Sequence, residues 1–169
     1  SADGGTTWRT ANAGLPVYGN LTLPARTLAI DPTSPETLYV TTDAFTGDPS
    51  IPYGLFKSTD GATTWNPVGR PSTDRDILAL VIAPQVPSAM YAATSAGLFK
   101  STDAGTTWSS VNFGIDTIFD LAVDPQNPNT LYAGTSHGLF TITFASQGPP
   151  LVHDFEFSQT SVHIGDSYI

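Results

Sequence analysis

The chain has no cysteine, which excludes a disulfide framework, a thiolate metal site and a cysteine nucleophile. It does not fix the compartment. Charged residues make up only 12%, against about 25% in an ordinary globular chain. Basic residues are the scarcest: six Lys and Arg stand against fifteen Asp and Glu, for a net charge of −9. Lys57, Lys100, Arg9, Arg26, Arg70 and Arg75 are scattered along the chain. Neutralising a phosphate backbone needs clustered cations, so nucleic acid is excluded as a partner. No apolar run approaches the ~20 residues of a membrane-spanning helix. Helical periodicity is also missing, and no leader segment opens the chain. Ser1 falls inside a motif, which reads as a mature or partial chain.

Repetition is what the chain has instead. The pattern Ser-x-Asp-x-Gly-x-Thr-Trp occurs at Ser1–Trp8, Ser58–Trp65 and Ser101–Trp108, here called boxes 1, 2 and 3. Box 2 departs at Ala62, where the others have Gly5 and Gly105. Gly-Leu-Phe-Lys precedes boxes 2 and 3, and Gly-Leu-Phe recurs at Gly138–Phe140 without a box. A second element repeats at Leu28–Thr42, Leu80–Thr94 and Leu121–Thr135. Tyr91 and Tyr132 are 41 residues apart, whereas Tyr39 and Tyr91 are 52 apart, and most of the excess lies in an insertion at Asp43–Tyr53. Each period reads as four short strands. LALVIA and FDLAVD suit a strand buried on both faces, TLYVTT and its copies a second strand, and GLFKS a third. Four strands in a unit of ~40–45 residues is the arithmetic of a β-propeller blade. The fold expected is all-β, with three blades of four antiparallel strands that form part of a larger or oligomer-completed propeller.

The box residues resemble the Asp box, or BNR repeat. Together with the blade LAxDPxxPxTLYAGT…GLFKSTDGGTTW they resemble the propeller family that includes sialidases, xyloglucanases, sortilin-type receptors and photosystem II assembly factors. The resemblance covers roughly residues 1–144. It implies the propeller fold, a secreted or surface location in a bacterial protein, and no single activity, because one scaffold hosts many. It also implies that the box lies at the turn between third and fourth strands, away from the face that usually holds an active site. Ser1, Asp3, Gly5, Thr7, Trp8, Ser58, Asp60, Thr64, Trp65, Ser101, Asp103, Gly105, Thr107 and Trp108 are accordingly read as structural. Asp and Ser side chains close turns by accepting backbone N–H groups, and all three Trp rings are expected to be buried between sheets.

No catalytic constellation is legible. The sialidase arginine cluster and nucleophile pair have no counterpart among four arginines and two glutamates. Asp31 and Asp124 repeat in Asp-Pro turns. Among the non-repeated acids Asp43, Asp48, Asp74, Asp76, Asp116 and Asp120 no pairing can be chosen. His137, His153 and His163 lack metal-ligand spacing, so neither a metal nor a cofactor is expected. Variation is concentrated in the insertion and in the blade-to-blade loops, which share one end of a propeller blade. Phe45, Tyr53, Arg70, Asp74, Arg75, Asp76, Phe113 and Asp116 are the binding candidates there, because loops on a rigid scaffold carry recognition. The reading is a non-catalytic extracellular module contacting a protein or glycan. The alternative is a fragment of a glycoside hydrolase of xyloglucanase or sialidase type.

The blades are expected over residues 1–145, followed by a linker at 146–150. The segment 151–169 resembles the opening strands of an immunoglobulin-like module. Box 1 brings a fourth strand with no blade before it, and GLFTITF lacks one after it. Thr6–Thr10 is therefore expected to pair beside Gly138–Phe144, from the same chain or a second copy, unless further blades complete the ring.

Overall fold

Alternating side chains and the Gly-Leu-Phe and Asp-Pro turns cut each repeat into short strands that pair with their sequence neighbours. The structure, a computed structural model, describes residues 3–43, 53–71, 77–84, 89–111 and 117–144. The expected linker and the segment 151–169 lie outside the described residues. A small hairpin of β1 (Val17–Tyr18) and β2 (Leu21–Thr22) comes first. The first blade is β3 (Ala25–Ile30), β4 (Leu38–Thr42), β5 (Gly54–Ser58) and β6 (Asn66–Pro67). The second is β7 (Ile77–Ile82), β8 (Met90–Thr94), β9 (Gly97–Ser101) and β10 (Ser109–Val111). The third is β11 (Ile118–Val123), β12 (Thr130–Thr135) and β13 (Gly138–Thr143). All pairs are antiparallel and follow chain order within each sheet. Two blades therefore have four strands, and the third has three among the described residues.

The inner strands run side by side, β3 against β7 and β7 against β11. Each inner strand carries a register shift near its start, at Ala25/Leu28, Ile77/Ala79 and Ile118/Asp120. A bulge bends a strand and increases its twist, and here it recurs at one position of the repeat. The registry Leu28↔Val40↔Phe56 and Ala29↔Tyr39↔Lys57 assigns side chains to the two flat sides of the first sheet. We call the side carrying Leu28 the leading side and the side carrying Tyr39 the trailing side.

Two cores follow from this alternation. The trailing side of blade 1 (Tyr39, Leu55) packs on the leading side of blade 2 (Leu80, Met90, Ala92). The trailing side of blade 2 (Tyr91, Ala93, Leu98) packs on the leading side of blade 3 (Leu121, Leu131, Ile142, Phe144). A third cluster covers part of blade 1's leading side, where Val40, Phe56 and Trp65 meet Leu15. LALVIA and FDLAVD are expected to be buried on both faces; β7 is largely so, but β11 is exposed on one side, as β3 is. Only the middle sheet has a described blade on each flank.

The expected closure within the chain does not form. Residues 6–10 are not a strand, and β13 has no outer neighbour among the described residues. Residues 11–15 instead lie against box 2: the Trp65 indole donates to the Ala11 carbonyl at 2.7 Å, and the Trp65 N–H to the Ala13 carbonyl at 2.8 Å. Blade 1 and the middle blade keep them from β13.

Candidate functional site

Each blade has two unlike ends, because the strands alternate direction. The Asp-Pro turns and the boxes lie at one end, and the β4–β5, β8–β9 and β12–β13 connections lie at the other.

At the box end the polar groups satisfy one another. Asp60 Oδ1 accepts the Thr64 N–H at 2.8 Å, Oδ2 accepts the Thr64 hydroxyl at 2.6 Å, and the Ser58 hydroxyl donates to Oδ1 at 2.7 Å. The Ser58 oxygen in turn accepts the Ala62 N–H at 2.9 Å. Box 3 repeats this set through Ser101, Asp103, Gly105 and Thr107. In box 1, Asp3 accepts the Thr7 N–H and hydroxyl. The Thr64 and Thr107 hydroxyls, then their N–H groups and the serine hydroxyls, hold Asp60 and Asp103 down at a pKa of about 2. Such carboxylates are fixed anions and cannot act as general acids. Asp31 and Asp124 likewise accept N–H groups two residues ahead, from Thr33 and Gln126.

The indoles differ from expectation in one respect. Trp65 is buried and Trp108 partly so, but Trp8 is 80% exposed. Trp65 and Trp108 pack on the leading side of the sheet that their own box closes. Box 1 closes no described sheet, so its ring has nothing to cover it. Trp8 and Trp108 donate to Gly5 and Gly105 three residues back. Trp65, with Ala62 at that place, donates to Ala11 instead.

At the other end, blades 2 and 3 close tightly. Thr94 and Thr135 hydroxyl oxygens accept the N–H groups of Ala96 and His137 in short turns before Gly97 and Gly138. His137 is exposed there, beside the Ser136 hydroxyl. Blade 1 opens at the same place to admit its insertion, and Thr42 now accepts the Gly54 N–H across the base. Two arginines brace that base. Arg26 pairs with Asp43 at 3.1 Å, and the Arg70 guanidinium lies 4.6 Å from the centroid of the Tyr53 ring. The Arg70 stem fills the space over Gly54, where a Cβ would clash with it. The β1–β2 hairpin, immediately before β3, exposes Val17, Tyr18 and Leu21.

Of the binding candidates, Tyr53 and Arg70 are thus brought together. Phe45, Asp74, Arg75, Asp76, Phe113 and Asp116 lie outside the described residues, as do Asp48 and Ser1. Sequence reading did not single out the Arg26–Asp43 pair, in which Arg26 lies on the first strand of the blade and Asp43 directly follows the second. The strand register alone could have suggested it, since Ala25 pairs with Thr42. Asp120, the remaining described non-repeated acid, accepts the Leu121 N–H at the β11 bulge. Among the described residues no group of three or more His, Asp or Glu side chains is placed to hold a metal.

Antiparallel four-stranded sheets set flat against one another, inner strand beside inner strand, define a β-propeller, here an arc of three blades that fits completion by others. No protein family and no curated protein matches the chain. Solved structures do. The GH74 enzyme of Niastella koreensis superposes with a TM-score of 0.57 at 24% identity, over 70% of this chain and 21% of that one. The GH74 xyloglucanase of Xanthomonas campestris gives 0.53 at 14%, over 69% and 22%. Sqt1 from Chaetomium thermophilum gives 0.50 at 19%, over 73% and 33%. The chain therefore spans a fifth to a third of these proteins, and at such identities the likeness shows the fold alone.

Proposed function

We propose that this chain belongs to a secreted or surface-exposed Asp-box propeller and serves as a non-catalytic module that binds a glycan at the insertion end of blade 1. The Arg70–Tyr53 stack carries the reading. It sets an aromatic ring, a guanidinium and the Arg26–Asp43 pair around one loop base, a mixture suited to sugar rings and their hydroxyls. The repeated acids, in contrast, are consumed by their own turns, and we propose that the box residues are structural.

A second reading has support from the GH74 enzymes among the structural neighbours. In it the chain is part of a glycoside hydrolase, with catalytic carboxylates contributed partly by other blades. Affinity electrophoresis in gels containing soluble β-glucans, xyloglucan included, separates the two from a purely protein-binding module. Retardation that is lost in Tyr53→Ala and Arg70→Ala, without release of reducing ends, supports the binding module. Unretarded migration in every glucan would reject the glycan. Reducing-end release by the chain would move the assignment to the hydrolase.

A further inference from the structure

Two arginines stand at the base of the blade 1 insertion, and among the described residues only Arg26 holds a carboxylate. Asp43 directly follows β4 and Tyr53 directly precedes β5, each one residue outward of the Thr42↔Gly54 pair. Arg26 Nη1 lies 3.1 and 3.2 Å from the two Asp43 oxygens. Arg70 is exposed and meets no carboxylate or other oxygen acceptor among the described residues; its guanidinium lies against the half-buried Tyr53 ring. The side chain is fixed all the same. Its Cδ and Cγ lie 2.6 and 2.8 Å from the place that a Cβ on Gly54 would take. The equivalent places over Gly97 and Gly138 are open, with no atom within 4 Å. All three glycines adopt a left-handed φ, but only at Gly54 does the missing side chain also make room for an arginine stem. Ordering a long side chain costs affinity when it happens on binding, and here the fold has already ordered it.

We propose that Arg70 selects a carboxylated glycan, with the carboxylate of a uronic acid residue bound by its guanidinium. The inference rests on the glycan reading of this loop base and adds the charge of the ligand. The face of the Tyr53 ring offers no oxygen acceptor, so the stack leaves the N–H donors of the guanidinium unmatched. A carboxylate presents two coplanar anionic oxygens to that fork, whereas a sugar hydroxyl presents one neutral oxygen. Charge-assisted bonds of this kind are about twice as strong as neutral ones. The Arg26–Asp43 contact is the same chemistry satisfied within the chain. The net charge of −9 opposes an anion at long range, but salt at about 0.15 M screens that field beyond about 8 Å and leaves a direct contact in force.

The test is titration calorimetry at about 0.15 M salt with two probes, a β-1,4-glucan tetrasaccharide and the same tetrasaccharide with its C6 groups oxidised to carboxylates. The wild type is expected to bind the carboxylated probe about tenfold more tightly, the factor that a hydrogen bond to a charged group supplies. Arg70→Gln should bring the two affinities together. Gly54→Ala should do the same with the arginine still present, because the new methyl displaces its stem. Gly97→Ala controls for backbone strain, since that glycine has the same φ of 112° with nothing above it, and it should keep the preference. Equal affinity of the wild type for both probes would overturn the inference and leave the glycan reading standing. Binding of neither probe would overturn both. A preference that survives Arg70→Gln would also overturn the inference, because it assigns the carboxylate to another cation.

Discussion

Tyr91 and Phe144 stack with ring centroids 5.0 Å apart and planes 24° from parallel, joining the middle sheet to the third. The Lys100 ammonium lies over both rings, at 5.6 and 5.1 Å, and burial lowers its pKa. Phe144 is buried and closes the edge of that core. Phe144→Ala is expected to cost about 3–5 kcal/mol, the usual range for removing a core aromatic ring. Urea unfolding checks this, and a loss below about 1 kcal/mol would show that the stack is not part of the cooperative core.

The boxes contain a backbone compromise that can be relieved. Ala104 sits at a φ of 58° although it is not glycine, and its side chain is exposed. A left-handed residue with a Cβ costs about 1–2 kcal/mol, and glycine gives back about 0.5–1 kcal/mol in unfolded-state entropy. Ala104→Gly should therefore stabilise the chain by about 0.5–1 kcal/mol. Ser101→Ala should act the other way by about 1–3 kcal/mol, because it strips the buried Gly105 N–H of its acceptor. Thermal unfolding of both variants tests the pair of signs.

Acid should attack the boxes first. A carboxylate whose pKa is lowered on folding contributes stability that is present above its unfolded value and lost as pH falls through its folded value. With Asp60 and Asp103 at about 2, that loss falls between about pH 4 and pH 2. The double variant Asp60→Asn, Asp103→Asn should be less stable at neutral pH and show a flatter acid limb. An unchanged limb would assign acid sensitivity to other groups.

Alkali works through the tyrosines. Burial, with Asp31 adding to it at Tyr39, raises Tyr39 and Tyr91 to about 12. A raised phenol contributes stability that is complete below its unfolded value, about 10, and lost as pH rises through the folded one. The stability profile should therefore fall between about pH 10 and pH 12, with Tyr91→Phe reducing the slope. Difference absorbance of tyrosinate over the same range gives an independent reading.

The three indoles should separate by access. Acrylamide is expected to quench the Trp8 fraction steeply and the Trp65 fraction poorly, since the two are 80% and 5% exposed. Trp8→Phe should remove the steep component while leaving the fold intact, and a steep component that survives would place the exposed indole elsewhere.

The sequence by itself determined the repeat, its period, the strand order within a blade and the turn chemistry of the boxes. These depend on neighbours a few residues away: Asp103 reaches Thr107, and Thr94 reaches Ala96. It also marked Tyr53 and Arg70 as loop residues, though not that they stack. Only the tertiary structure decided which copies of a repeated side chain are buried. Leu98 and Leu139 are the same residue in the same local sequence, and Trp8 and Trp65 end the same motif. Their burial depends on whether another sheet stands beside them, and a flat side is covered by residues of a different repeat, as Leu121 and Leu131 cover Leu98. Alternation along a strand says which side chains share a face, but the neighbouring blade determines whether water reaches it.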